Sequence, residues 1–191
     1  MRLKWIKENF IIVAVLIIIV ISLGGYAYTS FSKEGIYERV LDRKGYKVYL
    51  LKDNITFKGL IKPEWIPKTA NEERLINKKV AETEGMDVIL DKVNHRGDDI
   101  YFSFIIHPDI SYKHGKFLST SVIDDVEGVN QGMGMSIHIY NDTQNIEHGQ
   151  WGIGPLDRIS FGINIDDFEQ IQNGFNFEYT GFYLYGYHKS S

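Results

Sequence analysis

The chain opens on one unbroken apolar run and then switches to short alternating segments. Phe10–Leu23 (FIIVAVLIIIVISL) carries no charge and one polar side chain, Ser22, and the uncharged window extends from Asn9 to Ser32. As a helix, Phe10–Tyr28 would measure about 28 Å, close to the ~30 Å hydrocarbon core of a bilayer. Trp5 on one flank and Tyr26 and Tyr28 on the other suit the headgroup layer. The pattern predicts a short tail over 1–9 and a transmembrane signal anchor over 10–28. A cleaved signal peptide competes with it. Arg2, Lys4 and Lys7 make a basic leader, Gly24-Gly25 would break the helix, and Gly25-Tyr26-Ala27 offers small residues at a cut. The flanking tyrosines and the long charge-free window favour the anchor. Arg2, Lys4 and Lys7 precede the run, while Lys33, Arg39 and Arg43 beyond it are mixed with Glu34, Glu38 and Asp42. The positive-inside rule then gives a single-pass protein of the cell membrane, N-terminus cytoplasmic and the rest outside.

Beyond the run, 29–45 reads as a juxtamembrane connector. Ile36, Val40 and Leu41 recur at helical spacing there, and Gly45 is placed to stop a short helix. The remainder, 46–191, reads as a β-rich domain. Strands are predicted over 46–51 and 55–61 with a turn at Asp53-Asn54, and Pro63 and Pro67 interrupt regular structure. Thr69-Ala-Asn-Glu72 has the form of a capping box before Leu75, Ile76 and Val80, which predicts a helix over 70–79. The competing reading makes 76–83 a strand. From Met86 the alternation is β throughout. Strands are expected at 86–93, 100–106, 117–123, 135–140, 158–165, 175–179 and 182–187, separated by Asp, Asn and Gly turns. In the first of these, Met86, Val88 and Leu90 share one face, with Ile89 and Val93 opposite. The expected fold is all-β, an antiparallel sandwich of immunoglobulin-like type with one or two short helices.

Charge and composition narrow the partners. Residues 1–28 hold three basic side chains and one acidic, so of 21 Lys/Arg and 25 Asp/Glu the rest keeps 18 and 24, a net charge of −6. That excess repels phosphate, which argues against nucleic-acid binding and against adsorption on anionic lipid. There is no cysteine, hence no disulfide, thiolate metal site or cysteine nucleophile. An exported domain without disulfides points to a Gram-positive cell envelope, where the sequons at Asn54 and Asn141 carry no meaning.

Gly85-Met-Asp-Val-Ile-Leu-Asp-Lys-Val93, a turn, and Asp99-Ile-Tyr-Phe-Ser-Phe104 form a strand–turn–strand that resembles an ectodomain of unknown function in Gram-positive single-pass proteins of anti-sigma-factor type. Ser119–Asp125 and the Gly-rich stretch after it are similar too, so the resemblance covers about 76–135. It implies an anchored extracytoplasmic β-domain. It implies no site residues, and nine residues before the span are too few for a sigma-binding domain.

Four features hold candidate chemistry. Ile123-Asp-Asp-Val-Glu-Gly-Val-Asn-Gln-Gly132 echoes Ile165-Asp-Asp-Phe-Glu-Gln-Ile-Gln-Asn-Gly174, but the carboxylates lack the alternation of a calcium loop and read as acidic turns. His107, His114, His138 and His148 show no zinc spacing, so no metal or cofactor is expected. Gly149-Gln-Trp-Gly-Ile-Gly-Pro155 reads as a long connection in which Trp151 offers a stacking face. The C-terminus alternates Phe175, Phe177 and Tyr179 in one strand and Tyr183, Tyr185 and Tyr187 in the next. Exposed, the second row would stack on sugar rings or pack on a partner, and Phe182 and Leu184 opposite it require cover on both faces. Trp151, Tyr183, Tyr185 and Tyr187 are the candidate binding residues. No GxSxG, HExxH or P-loop is present, and Asp157, Glu147 and Glu178 have no motif behind them as catalytic carboxylates. The expected function is a non-enzymatic interaction or sensor domain with an envelope protein partner; a wall-glycan binder or hydrolase is the alternative. The intact mass of the protein from membranes is expected to retain residues 1–27, and loss of that segment would establish the cleaved signal instead.

Overall fold

The computed structural model describes residues 10–124, 128–131, 134–154 and 158–190. They divide into two compact units: 1–48 with 110–114 and 187–191, and 49–109 with 115–186.

In the smaller unit, helix α1 (Phe10–Phe31) is followed by α2 (Lys33–Leu41). The Ser32 hydroxyl caps α2 by accepting the Gly35 N–H at 3.0 Å. Ile36, Tyr37 and Val40, at helical spacing, are buried. The helix ends at Leu41, ahead of Gly45: Arg43, at φ +57°, is the left-handed residue that follows its cap, and Gly45 takes φ +80° later in the same turn. Tyr46 packs edge-on against Tyr187 at 5.6 Å and donates its hydroxyl to the Tyr112 carbonyl. The N–H groups of Lys189 and Ser190 donate to the Lys113 and Gly45 carbonyls at 2.8 and 2.9 Å. By contrast, the large apolar side chains of α1 lie open, from Ile19 at 47% to Val20 at 68%. Among the described residues no single helix is long and apolar enough to cross a membrane. Ile12–Tyr28 and Lys33–Leu41 reach that measure only as a pair, bent by 64°.

The larger unit is mostly β, in two antiparallel sheets with few helices, consistent with an all-β sandwich. Its strands are β1 (Tyr46–Ile61), β2 (Glu73–Thr83), β3 (Met86–His95), β4 (Asp99–His107), β5 (Asp109–Ile110), β6 (His114–Ser119), β7 (Ser121–Asp124), β8 (Gly128–Gln131), β9 (Ser136–Tyr140), β10 (Asn145–Ile146), β11 (Trp151–Gly154), β12 (Arg158–Asn164) and β13 (Phe175–Lys189). Of these, β1, β5, β6 and β13 run on into the smaller unit. One sheet has the order β10-β9-β13-β6-β5 with β1 also on β13; the other is β11-β12-β4-β3-β2; β7 and β8 form a separate hairpin. The core-facing sides meet in a block of rings. Phe102 and Phe104 stack on Phe161 at 5.1 and 5.5 Å, Phe177 meets Phe104 at 5.0 Å, and Tyr179 and Phe182 close on Phe57.

Several boundaries depart from expectation, each for a local reason. The helix expected over 70–79 is strand β2. Thr69 and Glu72 do form a turn, with the Glu72 N–H donating to the Thr69 carbonyl at 3.1 Å, but Asn71 at φ +63° leads into a ladder with β3. Irregularities between Leu75 and Lys78 and between Lys79 and Ala81 shift the register along β2. Ile76 and Val80 both pack against the core, and residues four apart share a face in a strand as they do in a helix, so their spacing fits either element. A second irregularity, between Leu90 and Lys92, turns Val93 to the buried face with Met86, Val88 and Leu90, not to the opposite one. The Asp53-Asn54 turn is a kink with Asn54 at φ +52° inside the continuous β1. The two C-terminal strands are one, β13, with Gly181 at φ +98°. A side chain there would meet the Gly134 carbonyl oxygen at 2.5 Å.

Tyr179 is wholly buried and, among the described residues, its hydroxyl has no hydrogen-bond partner. Burial, and then the neighbouring Tyr101, push its phenol well above the usual value of 10.0. Replacing Tyr179 with Phe removes an unsatisfied buried hydroxyl and is expected to raise stability by about 1 kcal/mol, read from the urea midpoint. The raised ionisation also gives a pH dependence. The folded protein keeps this proton where the unfolded chain releases it, so stability is intact below pH ~10 and falls above it at up to ~1.4 kcal/mol per pH unit. Urea melts along the alkaline limb should be shallower for Tyr179→Phe than for the parent; parallel limbs would exclude the assignment.

Candidate functional site

The four candidate binding residues do not form one face. Tyr185 is 2% and Tyr187 0% exposed, so the expected open tyrosine row is not there. Each hydroxyl acts as an internal strut. Tyr185 stacks on Phe117 at 5.6 Å and accepts the Ile123 N–H at 2.8 Å. Tyr187 accepts the Ser111 N–H at 2.9 Å and donates to the Ser111 carbonyl at 2.7 Å. The cover that Phe182 and Leu184 required on the opposite face is also present, since both are buried in the core of the larger unit. Tyr183 is half-buried, with its ring 6.5 Å from that of Tyr185.

Trp151 remains open, at 47%. The stretch expected to be a connection holds strand β11, an end strand of its sheet, which among the described residues pairs with β12 alone. Trp151 lies opposite Phe161 and Ile153 opposite Ile159, so both belong to the core-facing side of the sheet. Phe161 and Ile159 are fully buried, whereas Trp151 and Ile153 stay half open. A hollow of about 390 Å³ lies beside them, lined among the described residues by Thr120, Ser121, Gly134, Met135, Trp151, Gly152 and Ile153. None of these side chains titrates. Behind Gly152 the backbone is fixed, because the Tyr101 hydroxyl donates to Ser160, whose own hydroxyl donates to the Gly152 carbonyl at 3.2 Å. The hollow therefore offers one flat ring, two aliphatic side chains and two hydroxyls on a braced strand.

Two further hollows are polar, and much of their chemistry is internally satisfied. One, of about 500 Å³, lies by Arg96, Asp98, Asp99 and Asn164. Arg96 donates its Nε to Asp99 Oδ1 at 2.7 Å and lies 4.0 Å above the Tyr101 ring, and the Asp99 carboxylate holds the guanidinium above its usual value. The other, of about 430 Å³, lies by Asn141–Gln144 and Glu169–Gly174. There Asn141 Oδ1 accepts the Thr143 and Gln144 N–H groups at 3.0 Å each.

The acidic echo does not repeat in three dimensions. Its second copy forms a short helical turn, Ile165–Asp167, and helix α3 (Phe168–Ile171); its first lies on the β7–β8 hairpin, with 125–127 and 132 outside the described residues. Among the described residues no group of three His, Asp or Glu side chains is placed to hold a metal. His138 stacks on Tyr140 at 5.0 Å and meets Asn145 Oδ1 at 3.0 Å, while His107 and His114 are exposed. His95, absent from the candidates, is the buried histidine, its Nδ1 accepting the Gly97 N–H at 3.2 Å to close the β3–β4 turn. Glu178 pairs with Lys58 at 2.9 Å, and Asp157 lies outside the described residues. The role of Ile153 was legible only in the one-residue spacing from Trp151.

No family model matches the chain, and neither a curated protein nor a solved structure matches it. Substitution separates the open ring from the buried ones. Tyr185→Ala should cost ~3–5 kcal/mol of folding stability, whereas Trp151→Ala should cost ~1 kcal/mol or less, both measured by denaturant melts.

Proposed function

We propose that this is a single-pass membrane protein of a Gram-positive cell envelope, N-terminus inside, carrying a non-enzymatic interaction domain of immunoglobulin-like sandwich type outside. Its partner is an envelope protein that adds an extended strand to the free edge of β11 and seats an apolar side chain against Trp151 and Ile153. The observation that carries this reading is that pair, whose strand neighbours Phe161 and Ile159 are sealed while they stay half open. An end strand presents unpaired N–H and C=O groups, and flanking apolar pockets supply the choice of sequence in such strand addition. The anchor reading draws on α1, whose apolar side chains stand open along its length and would be costly in water.

A second reading, wall-glycan binding, draws on the Thr120 and Ser121 hydroxyls beside the indole, an arrangement suited to a sugar ring.

Cross-linking in intact cells, followed by purification from solubilised membranes, separates the two. The parent chain is expected to capture a protein in fixed ratio, and Trp151→Ala combined with Ile153→Ser is expected to lose it at least tenfold while folding normally. Capture of wall polymer alone, lost on Trp151→Ala, would transfer the site to the glycan reading. Undiminished protein capture by the double variant would remove this edge as the docking site.

A further inference from the structure

The net charge of −4 conceals a division that only the folded chain displays. The larger unit, 49–109 and 115–186, holds 21 Asp/Glu against 11 Lys/Arg. In the smaller unit the described residues are basic: Lys33, Arg39, Arg43, Lys44, Lys47, Lys113 and Lys189 against Glu34, Glu38 and Asp42. Lys113 and Lys189 come from segments far apart in sequence and are brought to this unit by the pairing of Lys189 N–H with the Lys113 carbonyl.

Two of these cations, Arg39 and Lys189, are held at the C-terminal end of apolar helix α1. Arg39 donates from its guanidinium to the Ser30 carbonyl at 2.6 Å, in the last turn of α1, and lies 5.8 Å from the Tyr46 ring. Phe31, the last residue of α1, packs on Tyr112 at 5.2 Å, and the Lys189 ammonium sits 3.8 Å from that ring and donates to its hydroxyl. That bond lowers the Tyr112 phenol below its usual value. Lys33 follows α1 directly. Lys33, Lys47 and Lys113 are exposed and make no ion pair among the described residues. Tyr26, Tyr28 and Phe31, all exposed, ring the same end of the helix. An open apolar helix, then a girdle of aromatic rings, then a set of cations is the order of layers from bilayer core to headgroup phosphate.

We propose that these cations form a collar, a binding surface for anionic phospholipid headgroups, through Lys33, Arg39, Lys47, Lys113 and Lys189. The proposal rests on α1 lying in a bilayer. Attraction would act within a Debye length, about 8 Å at physiological salt, so it belongs to side chains held at the membrane surface and is sensitive to ionic strength. The acidic unit would be repelled by the same surface, which keeps the attraction local to the collar.

The full-length chain, reconstituted into nanodiscs of phosphatidylcholine alone or with a large fraction of phosphatidylglycerol, provides the test. Lysine-directed labelling read by mass spectrometry should fall several-fold at Lys33, Lys47, Lys113 and Lys189 in the anionic discs and return at high salt, with Lys68 and Lys78 of the acidic unit unchanged. Replacing Lys33, Lys47 and Lys113 together with Gln alters exposed groups, so the fold should be unchanged by circular dichroism while the lipid-dependent protection of Lys189 disappears. Insertion into both discs with equal labelling overturns the headgroup surface and leaves the anchor standing. Protection of Lys189 that survives the triple substitution overturns it as well. Failure to insert into either disc overturns both the collar and the anchor.

Discussion

The larger unit depends on a single block of aromatic rings shared by its two sheets. Without a cysteine to form a disulfide, burial of apolar surface has to offset the conformational entropy of ordering the chain. Phe102, Phe104 and Phe161 from one sheet interleave with Phe57, Phe175, Phe177, Tyr179 and Phe182 from the other, at centroid distances of 5.0 to 6.5 Å. Each such contact is worth ~0.5–1.5 kcal/mol beyond area burial. Because buried side chains alternate along β4 (Phe102, Phe104) and β12 (Ile159, Phe161, Ile163), the block also fixes register: a slip of one residue in either strand would turn them away from the core. Trp151 continues the same alternation one strand further out, where cover from the described residues runs short. The candidate site is thus the rim of the core, not a feature added to the surface.

The tyrosines of β13 show how one residue type serves opposite ends. Tyr185 and Tyr187 reach backbone groups of Ile123 and Ser111 and join distant segments, so their hydroxyls are satisfied within the protein. Tyr179, on the same strand, buries its hydroxyl among phenylalanines without a partner. In sequence these positions look alike, since a Tyr row with period two fits a solvent-facing binding strip and a buried strand equally well. The apolar Phe182 and Leu184 between them were the better guide, because cover on both faces is what they required.

Legibility elsewhere followed regularity. β4 and β12, with unbroken alternation, were readable almost to their ends, and so was the short helix whose Ile36 and Val40 face inward. Irregular strands were not. In β2 the four-residue spacing of Ile76 and Val80 fits a helix and a strand alike, and the shift at Leu90–Lys92 reversed the face of Val93. Asn54 shows the same limit from the other side: a residue suited to turns took a left-handed backbone inside a strand that simply continued. A bulge is a difference between partner strands, and a single sequence holds only one of the two at a time.

The charge of the chain is likewise an average over unlike parts. Averaged over everything beyond residue 28 it is acidic, and that average argued against anionic surfaces of any kind. Electrostatic attraction does not act on averages. Beyond about 8 Å in physiological salt one patch scarcely senses another, so each surface answers to the charges it holds within that range. The fold returns residues 110–114 and 187–190 to the end of α1, and it leaves the acidic turns in the other unit. A protein of acidic composition can in this way present a basic collar beside its apolar helix, and the division follows from topology, which composition does not contain.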